Sequence, residues 1–179
     1  AANQKPFFGR RGGVTFSGGE PTAQAKDLIP VVKGLKEQGI HICIDTNGGI
    51  WNPAVEELLK EIDLVLLDVK QINPERHLNL TERSNEQTLK TAQWLEDNGK
   101  PFWLRYVLVP GINADEENLS NLRAFIDTLE NVEKIEVLPY HTMGKSKYEK
   151  LNIPYPLEGV EAPTKQEVEM ANKILKSIK

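Results

Sequence analysis

The chain has 179 residues, 39% of them hydrophobic and 27% charged, which is ordinary for one soluble globular domain. Acidic residues outnumber basic ones by 26 to 22, and the resulting charge of −4 argues against binding nucleic acid through its phosphates. The single cysteine, Cys43, excludes an internal disulfide, a structural zinc site and a complete ligand set for an iron–sulfur cluster. The chain contains no run of about 18 apolar residues, the length needed to cross a membrane. No apolar signal segment opens the chain either, so we expect a cytoplasmic protein.

Five short apolar runs recur along the chain, and each is followed by apolar residues at helical spacing. The runs cover residues 13–17, 40–45, 64–69, 102–109 and 134–138. The helical segments follow Pro21 and Pro53, and begin near Ser84, Asn113 and Thr164. This alternation predicts a parallel sheet with right-handed crossovers. Because a closed eight-stranded barrel needs about 250 residues, five units predict a partial barrel or an open sheet.

Capping residues and prolines predict where helices begin and where regular structure is interrupted. Three helix starts show capping-box spacing, namely Ser84 with Gln87, Asn113 with Glu116, and Thr164 with Glu167. The segment 141–163 is predicted to be a loop, because its prolines disfavour regular structure.

The polar residues that folding alone explains least lie where each predicted strand ends. They are Ser17 to Glu20, Asp45 to Gly48, Asp68 with Lys70, Arg105, and Tyr140 with His141. In parallel α/β folds and barrels, the carboxyl ends of the strands build the ligand site. We therefore expect the polar residues at the carboxyl ends of all five strands to line one ligand site, called the mouth below.

The stretch GGVTFSGGEP, residues 12–21, matches a phosphate-binding loop only as far as Gly19. Such a loop continues with lysine and then serine or threonine, whereas this chain continues with Glu20 and Pro21. A carboxylate would repel phosphate. Glycines that let a ligand approach the backbone, followed by a carboxylate, suit an ammonium group instead. A simple strand-to-helix turn is the structural alternative.

Side-chain alternation predicts which residues share the face that lines the mouth. Asp45 shares a face with Cys43, and Asp68 shares one with Lys70. Arg105 lies in an apolar strand and needs an acceptor, because charges are rarely buried unpaired. The structural alternatives to ligand binding are a turn at Asp45 and an ion pair between Asp68 and Lys70.

Other polar residues are expected to lie outside the mouth. We expect His41 and His77 at the surface or at a strand edge. The basic residues Lys145, Lys147 and Lys150 form either a solvated face or a contact with a partner protein.

Five motifs occur in order: GGVTFSGGEP, IDTNG, LLDVK, RYVLVPG and LPYHTMGKSKY. With them the sequence resembles the activating enzymes of glycyl radical enzymes, within the radical S-adenosylmethionine superfamily. The match runs from Pro6 to the last helix. The resemblance implies an α/β fold, a TIM-like partial (β/α)6 barrel of parallel strands. It further implies that residues 1–179 form one truncated domain with five of the six βα units.

The resemblance also implies how S-adenosylmethionine is held at its two ends. Gly18, Gly19 and Glu20 would bind the amino group of the methionine end through backbone and carboxylate. Arg105 and His141 would contact the nucleoside end.

The remaining implied contacts lie between those two ends. Asp45, Asp68 and Lys70 would surround the cofactor carboxylate, and Asp45, Thr46 and Asp68 would form a monovalent-cation site. Asp45, Lys70 and His141 are the candidate catalytic residues.

The activity implied by the resemblance is a reductive cleavage. A [4Fe–4S] cluster would donate one electron to S-adenosylmethionine, and the resulting 5′-deoxyadenosyl radical would generate a glycyl radical on a partner such as pyruvate formate-lyase. Flavodoxin or ferredoxin would supply the electron, and neither nucleic acid nor membrane is an expected partner.

The sequence departs from the family pattern at the cluster, because the family's first strand and its C-x3-C-x2-C loop are not found in it. We expect this chain alone to be inactive, as the core of a longer activating enzyme. The alternative is a cluster-free partial barrel that only binds a nucleoside ligand or a protein partner. An aldolase-like enzyme with Lys70 as a Schiff base is disfavoured, because Asp68 would keep the amine protonated.

Overall fold

The computed structural model describes residues 5–9 and 12–176. The strands are β1 (Gly13–Phe16), β2 (His41–Thr46), β3 (Leu64–Asp68), β4 (Phe102–Leu108) and β5 (Val132–Pro139). The α-helices are α1 (Lys5–Phe8), α2 (Ala25–Lys36), α3 (Pro53–Glu61), α4 (Pro74–Thr81), α5 (Glu86–Asp97), α6 (Glu116–Ile126), α7 (Lys145–Leu151) and α8 (Lys165–Leu175). Short 3-10 helices cover Pro21–Gln24 and Thr142–Gly144.

The strands form one parallel sheet in the order β1-β2-β3-β4-β5. Each strand therefore pairs with its predecessor in the chain, and helices connect them as βα units. A sheet that never reverses its strand order is a barrel segment, since a doubly wound sheet changes direction at a switch point. The predicted α/β fold with parallel, alternating units is confirmed.

The two faces of the sheet differ in burial, because side chains alternate along each strand. On one face Ile44, Leu67 and Leu104 are fully buried under the helices. One buried cluster packs the sheet against α2, α3 and α5, and a second packs it against α6 and α8. On the other face, called the open face below, side chains such as Asp45 and Arg105 are only partly buried. The open face therefore carries the polar strand residues.

Several helices differ from their sequence predictions. Helix α4 was not predicted, although Asn73 caps it by accepting a hydrogen bond from the backbone N–H of Arg76, and Pro74 opens its first turn. Helix α7 lies inside the segment predicted to be a loop. The expectation for His77 was wrong, since the connection through α4 buries its side chain. The capping box of Thr164 and Glu167 is confirmed.

No helix in the described ranges is long and apolar enough to cross a membrane.

Helix α4 ends at a strained residue, and relieving that strain should stabilise the fold. Glu82 has a φ of +59°, in the left-handed region that costs side-chain-bearing residues roughly 1–2 kcal/mol. Glu82→Gly should therefore raise the melting temperature, with a gain of about 1 kcal/mol in unfolding free energy. Glu82→Ala is the control, because it removes the same carboxylate and keeps the strain. A melting temperature no higher for the glycine variant than for the alanine variant would contradict this account.

Asp63 links α2 to β2 and should make stability depend on pH. Burial raises the pKa of its carboxyl, but the hydrogen bonds from Lys36 Nζ and Ile42 N, both 2.8 Å, and the Lys36 charge outweigh it. The net pKa is lowered below the ordinary 3.8. Its contribution is therefore present above that value and lost as pH falls through the lower folded pKa.

Denaturant unfolding of wild type and Asp63→Asn tests this dependence. The wild type should exceed the variant in stability near neutral pH, and the difference should shrink below about pH 3. A difference that stays the same at both pH values would show that the carboxylate charge is not responsible.

Candidate functional site

A cavity of about 330 Å³ lies at the carboxyl ends of β1, β2 and β3. We call it the strand-end cavity. It is lined by Ser17, Gly18, Gly19, Glu20, Asp45, Thr46, Asn47, Asp68 and Lys70. These residues come from three separate stretches of the chain, and the parallel sheet brings them to one edge. The expectation of five strands around one mouth is met in this cavity for β1, β2 and β3 and not for β4 and β5.

Gly18 and Gly19 form the turn that leaves β1. Their φ angles are +91° and +55°, which side-chain-bearing residues rarely adopt. A Cβ added at either residue would meet no atom within 4 Å. Backbone conformation, and not crowding, therefore requires glycine at both positions, and the space beside them lets a ligand approach the main chain.

Glu20 ties the end of β1 to the end of β2. Its Oε1 accepts hydrogen bonds from Thr22 N at 3.1 Å, from Thr22 Oγ1 at 2.7 Å and from Thr46 Oγ1 at 2.7 Å. Its Oε2 accepts from Asn47 N at 2.9 Å. Since a carboxylate oxygen has two lone pairs, Oε2 retains capacity for a further donor such as an ammonium group.

Arg105 connects carboxylates from neighbouring strands on the open face. Its Nη1 lies 2.8 Å from Asp45 Oδ1, and its Nε lies 3.7 Å from Asp68 Oδ1 and 4.0 Å from Glu136 Oε2. The Arg105 side chain is 22% exposed and the Asp45 side chain 23%. The prediction that this arginine needs an acceptor is confirmed.

Two buried polar atoms on the open face, Asp68 Oδ1 and Arg105 Nε, make no hydrogen bond to any described residue. The distance of 3.7 Å between them is too long for a hydrogen bond. The second oxygen of Asp68 is satisfied, because Lys70 Nζ donates to it at 2.6 Å. Buried polar atoms in native proteins normally find partners, so these two are exceptions, and a polar ligand could reach them only after neighbouring side chains move.

Three of the predicted residues lie differently from the rest, and the first, Arg105, is not among the residues that line the cavity. Thr46 borders the cavity, but its hydroxyl is already engaged, since it donates to Glu20 Oε1 and accepts from Gly48 N at 3.0 Å. His141 follows β5 as an exposed residue, and it is not among the residues that line the cavity.

Sequence reasoning did not assign roles to three further residues. Ser17 donates to Asp45 Oδ2 at 2.9 Å, and Asn47 supplies the N–H that binds Glu20. Ser17 lies in the motif GGVTFSGGEP and Asn47 in the motif IDTNG, so these two motifs could have indicated both residues. Glu136 pairs in register with Arg105, and only knowledge of the strand register could have revealed it.

Comparison with known proteins agrees with this geometry. The Radical SAM superfamily model matches residues 1–122. The chain is 46% identical over 177 residues to the pyruvate formate-lyase-activating enzyme of Streptococcus mutans serotype c, covering 96% of this chain and 67% of that protein. It is 48% identical over 174 residues to the enzyme of the same name from Staphylococcus epidermidis, covering 93% and 69%.

Solved structures share the fold. A domain of a pyruvate-formate lyase-activating enzyme from Bacteroides vulgatus superposes with a TM-score of 0.76 at 29% identity, covering 92% of each chain. A radical SAM methyltransferase from Sphaerobacter thermophilus gives 0.72 at 17% identity, covering 98% of this chain and 51% of that one, a likeness of fold alone. The chain belongs to the radical SAM superfamily and is a homologue of the pyruvate formate-lyase-activating enzymes.

Proposed function

We propose that residues 1–179 form one domain, the core of a radical S-adenosylmethionine activating enzyme that generates a glycyl radical on pyruvate formate-lyase or a related partner. The observation that carries the proposal is the convergence of the motif residues of β1, β2 and β3 on one cavity. Identity near 46% to activating enzymes supports the same activity.

The strand-end cavity fits the methionine end of S-adenosylmethionine. The cofactor's ammonium group would approach Glu20 Oε2 and the backbone of Gly18 and Gly19, where the structure leaves space. Its carboxylate would bind Lys70, which stands at the cavity wall. When bound with a [4Fe–4S] cluster, the cofactor supplies the radical chemistry, and this chain's residues orient it.

Arg105 and Asp68 would complete the binding of the cofactor. Arg105 Nε and Asp68 Oδ1 are a donor and an acceptor that make no hydrogen bond within the described residues, and both are buried, so side chains around them would move to admit the cofactor. Hydroxyl or amine groups at the nucleoside end could satisfy both. His141 is exposed beyond β5 and does not line the cavity. It would contact the nucleoside end only once the ligand is bound.

An iron–sulfur cluster does not fit the residues of this chain. Cys43 is the only cysteine, and one thiolate cannot hold a cluster. No group of three or more histidine, cysteine, aspartate or glutamate side chains that could hold a metal occurs among the residues described. The proposal therefore places the cluster ligands outside residues 1–179, and predicts that this chain alone cannot turn over.

A monovalent cation at Asp45, Thr46 and Asp68 is a further part of the proposal. Both carboxylates already face a cation, since Asp45 contacts Arg105 at 2.8 Å and Asp68 contacts Lys70 at 2.6 Å. Because Asp68 Oδ1, which makes no hydrogen bond within the described residues, is buried, an added cation would require these side chains to rearrange, for example when Lys70 turns towards the cofactor carboxylate.

A second candidate is a cluster-free domain that binds a nucleoside or a protein partner without turnover. The observation that favours it is the lone Cys43. The two candidates differ in whether residues at the mouth affect catalysis, and the electron donor, flavodoxin or ferredoxin, is needed only by the first.

Turnover by the protein from the complete gene separates the candidates. After anaerobic reconstitution with iron and sulfide and chemical reduction, chromatography measures 5′-deoxyadenosine. Lys70→Ala should reduce its formation about tenfold or more, because a charged hydrogen bond contributes about 1.5–3 kcal/mol. Lys26→Ala on the exposed side of α2 is the control. Deoxyadenosine formation equal in the two variants would contradict the role of Lys70, and none in the wild type would favour the binding domain.

A further inference from the structure

A second cavity, of about 470 Å³, adjoins the strand-end cavity on its α4 and α5 side. We call it the α4–α5 cavity. Asn47, Asp68 and Lys70 line both cavities, so the two share a wall. Apart from Gly49, the rest of the lining comes from α4, from the connection to α5 and from the first turns of α5, and it includes His77, Thr81, Arg83, Ser84 and Glu86. None of these residues has a role in the proposed activity.

The α4–α5 cavity carries a surplus of positive charge. Asp68 is neutralised by Lys70 at 2.6 Å, and Glu86 is neutralised by Lys90 at 2.7 Å. The remaining charged residue is Arg83, whose guanidinium makes no hydrogen bond or ion pair with the described part of the chain. One arginine therefore faces this space without a counterion.

His77 presents an unpaired nitrogen in the same lining. Its side chain is only 6% exposed. Its Nδ1 lies 2.8 Å from the carbonyl oxygen of Arg83 and 3.0 Å from Thr81 Oγ1. Because a carbonyl oxygen can only accept, Nδ1 carries the proton. Within the described residues Nε2 has no hydrogen-bond partner, and it is not among the solvent-inaccessible unpartnered atoms, so it is open to the cavity that His77 lines.

The N-terminal end of α5 completes the cavity. Asn85 stands at the capping position, but its side chain does not cap the helix. Its Nδ2 donates instead to the carbonyl oxygens of Gln71 at 3.1 Å and Ile72 at 2.7 Å. The 12-residue helix therefore presents its positive dipole end beside Arg83, and of its first N–H groups that of Glu86 donates to Ser84 Oγ at 3.1 Å.

We propose that the α4–α5 cavity binds an oxyanion, a phosphate or a carboxylate, between the Arg83 guanidinium and His77 Nε2. The guanidinium offers two parallel donors to such a group. Nε2 accepts from a protonated oxygen of the anion or, once protonated itself, donates to it. The ligand would be separated from the strand-end cavity by the residues that line both cavities, Asn47, Asp68 and Lys70. This inference stands on the local geometry and does not depend on the proposed radical chemistry.

Nuclear magnetic resonance of the isotopically labelled chain tests this inference with two probes, sodium phosphate and sodium acetate, at constant ionic strength. The ring nitrogens of His77 and the Nε of Arg83 should shift with at least one probe, and saturate in the millimolar range. If phosphate alone shifts them, the site takes phosphate. If both do, it takes carboxylates as well.

Arg83→Gln and Lys26→Gln form the matched pair of variants, since each removes one exposed positive charge. Arg83→Gln should weaken binding about tenfold, the effect of losing one charge-assisted contact, while Lys26→Gln should leave it unchanged. Two results would overturn the inference. One is the absence of any shift at His77 with either probe, and the other is equal weakening by both variants.

Discussion

Replacing Arg105 with alanine is expected to lower the free energy of unfolding by about 3 kcal/mol, because removing one partner leaves buried charges uncompensated. Arg105 is the cation between Asp45, Asp68 and Glu136 on the open face. Without it, Asp45 would keep the hydroxyl of Ser17 as its one donor among residues 5–9 and 12–176. Urea denaturation of the chain measures the effect.

Arg76→Ala is the matched control for this prediction. Arg76 pairs with Asp115 at 2.6 Å, but the two side chains are 45% and 44% exposed. Such pairs contribute about 0–1 kcal/mol. A second check is Asp45→Asn in the Arg105→Ala background, which should recover part of the loss by removing one stranded charge. Similar losses for the two arginine variants would contradict the buried cluster as the cause.

The second large effect is expected at Asn113, which joins the ends of β3 and β4. Its Oδ1 accepts from Val109 N at 2.7 Å, and its Nδ2 donates to the carbonyl oxygens of Lys70 at 3.0 Å and Val107 at 2.9 Å. Asn113 is 1% exposed. Asn113→Ala leaves these three backbone groups without that partner, at a cost of roughly 1–3 kcal/mol for each one that water cannot reach. We expect a total loss of about 3 kcal/mol.

Asn113→Ala should also act on the mouth, because the Lys70 carbonyl bond fixes the backbone that carries the Lys70 amine. We expect weaker S-adenosylmethionine binding together with lower stability. Asn121→Ala, at an exposed position of α6, is the control and should change neither. Denaturation and a ligand titration on both variants measure the two effects. An unfolding free energy for Asn113→Ala equal to that of Asn121→Ala would contradict the prediction.

The strands and the side that lines the mouth could be predicted because they depend on local patterns. Period-two alternation assigned Asp45 and Asp68 to the partly exposed face of the sheet. In the structure their neighbours Ile44 and Leu67 are buried on the opposite face, under the helices. The GGE turn was readable for the same reason, since Gly18 and Gly19 occupy backbone conformations that few other residues tolerate.

The missed features depend on contacts between distant segments. Helix α4 has few apolar residues, so its periodicity was weak, and its local indications were the capping residue Asn73 and Pro74 in the first turn. His77 is buried only because α4 folds beside the loop that carries Arg83. Asn113 was predicted to cap α6, whereas Asp115 caps it and Asn113 binds β3 and β4. Sequence spacing could not distinguish these two uses of one asparagine.

The most direct test of the central claim is a titration of the isotopically labelled chain with S-adenosylmethionine, followed by the amide resonances. We predict that Gly18, Gly19, Asn47 and Lys70 shift most, with weak affinity because the cluster is not held by this chain, and that Glu20→Gln reduces these shifts. If no amide around the strand-end cavity shifts at about 10 mM ligand, the dissociation constant is too high for a specific site. The assignment of this cavity to S-adenosylmethionine would then be wrong.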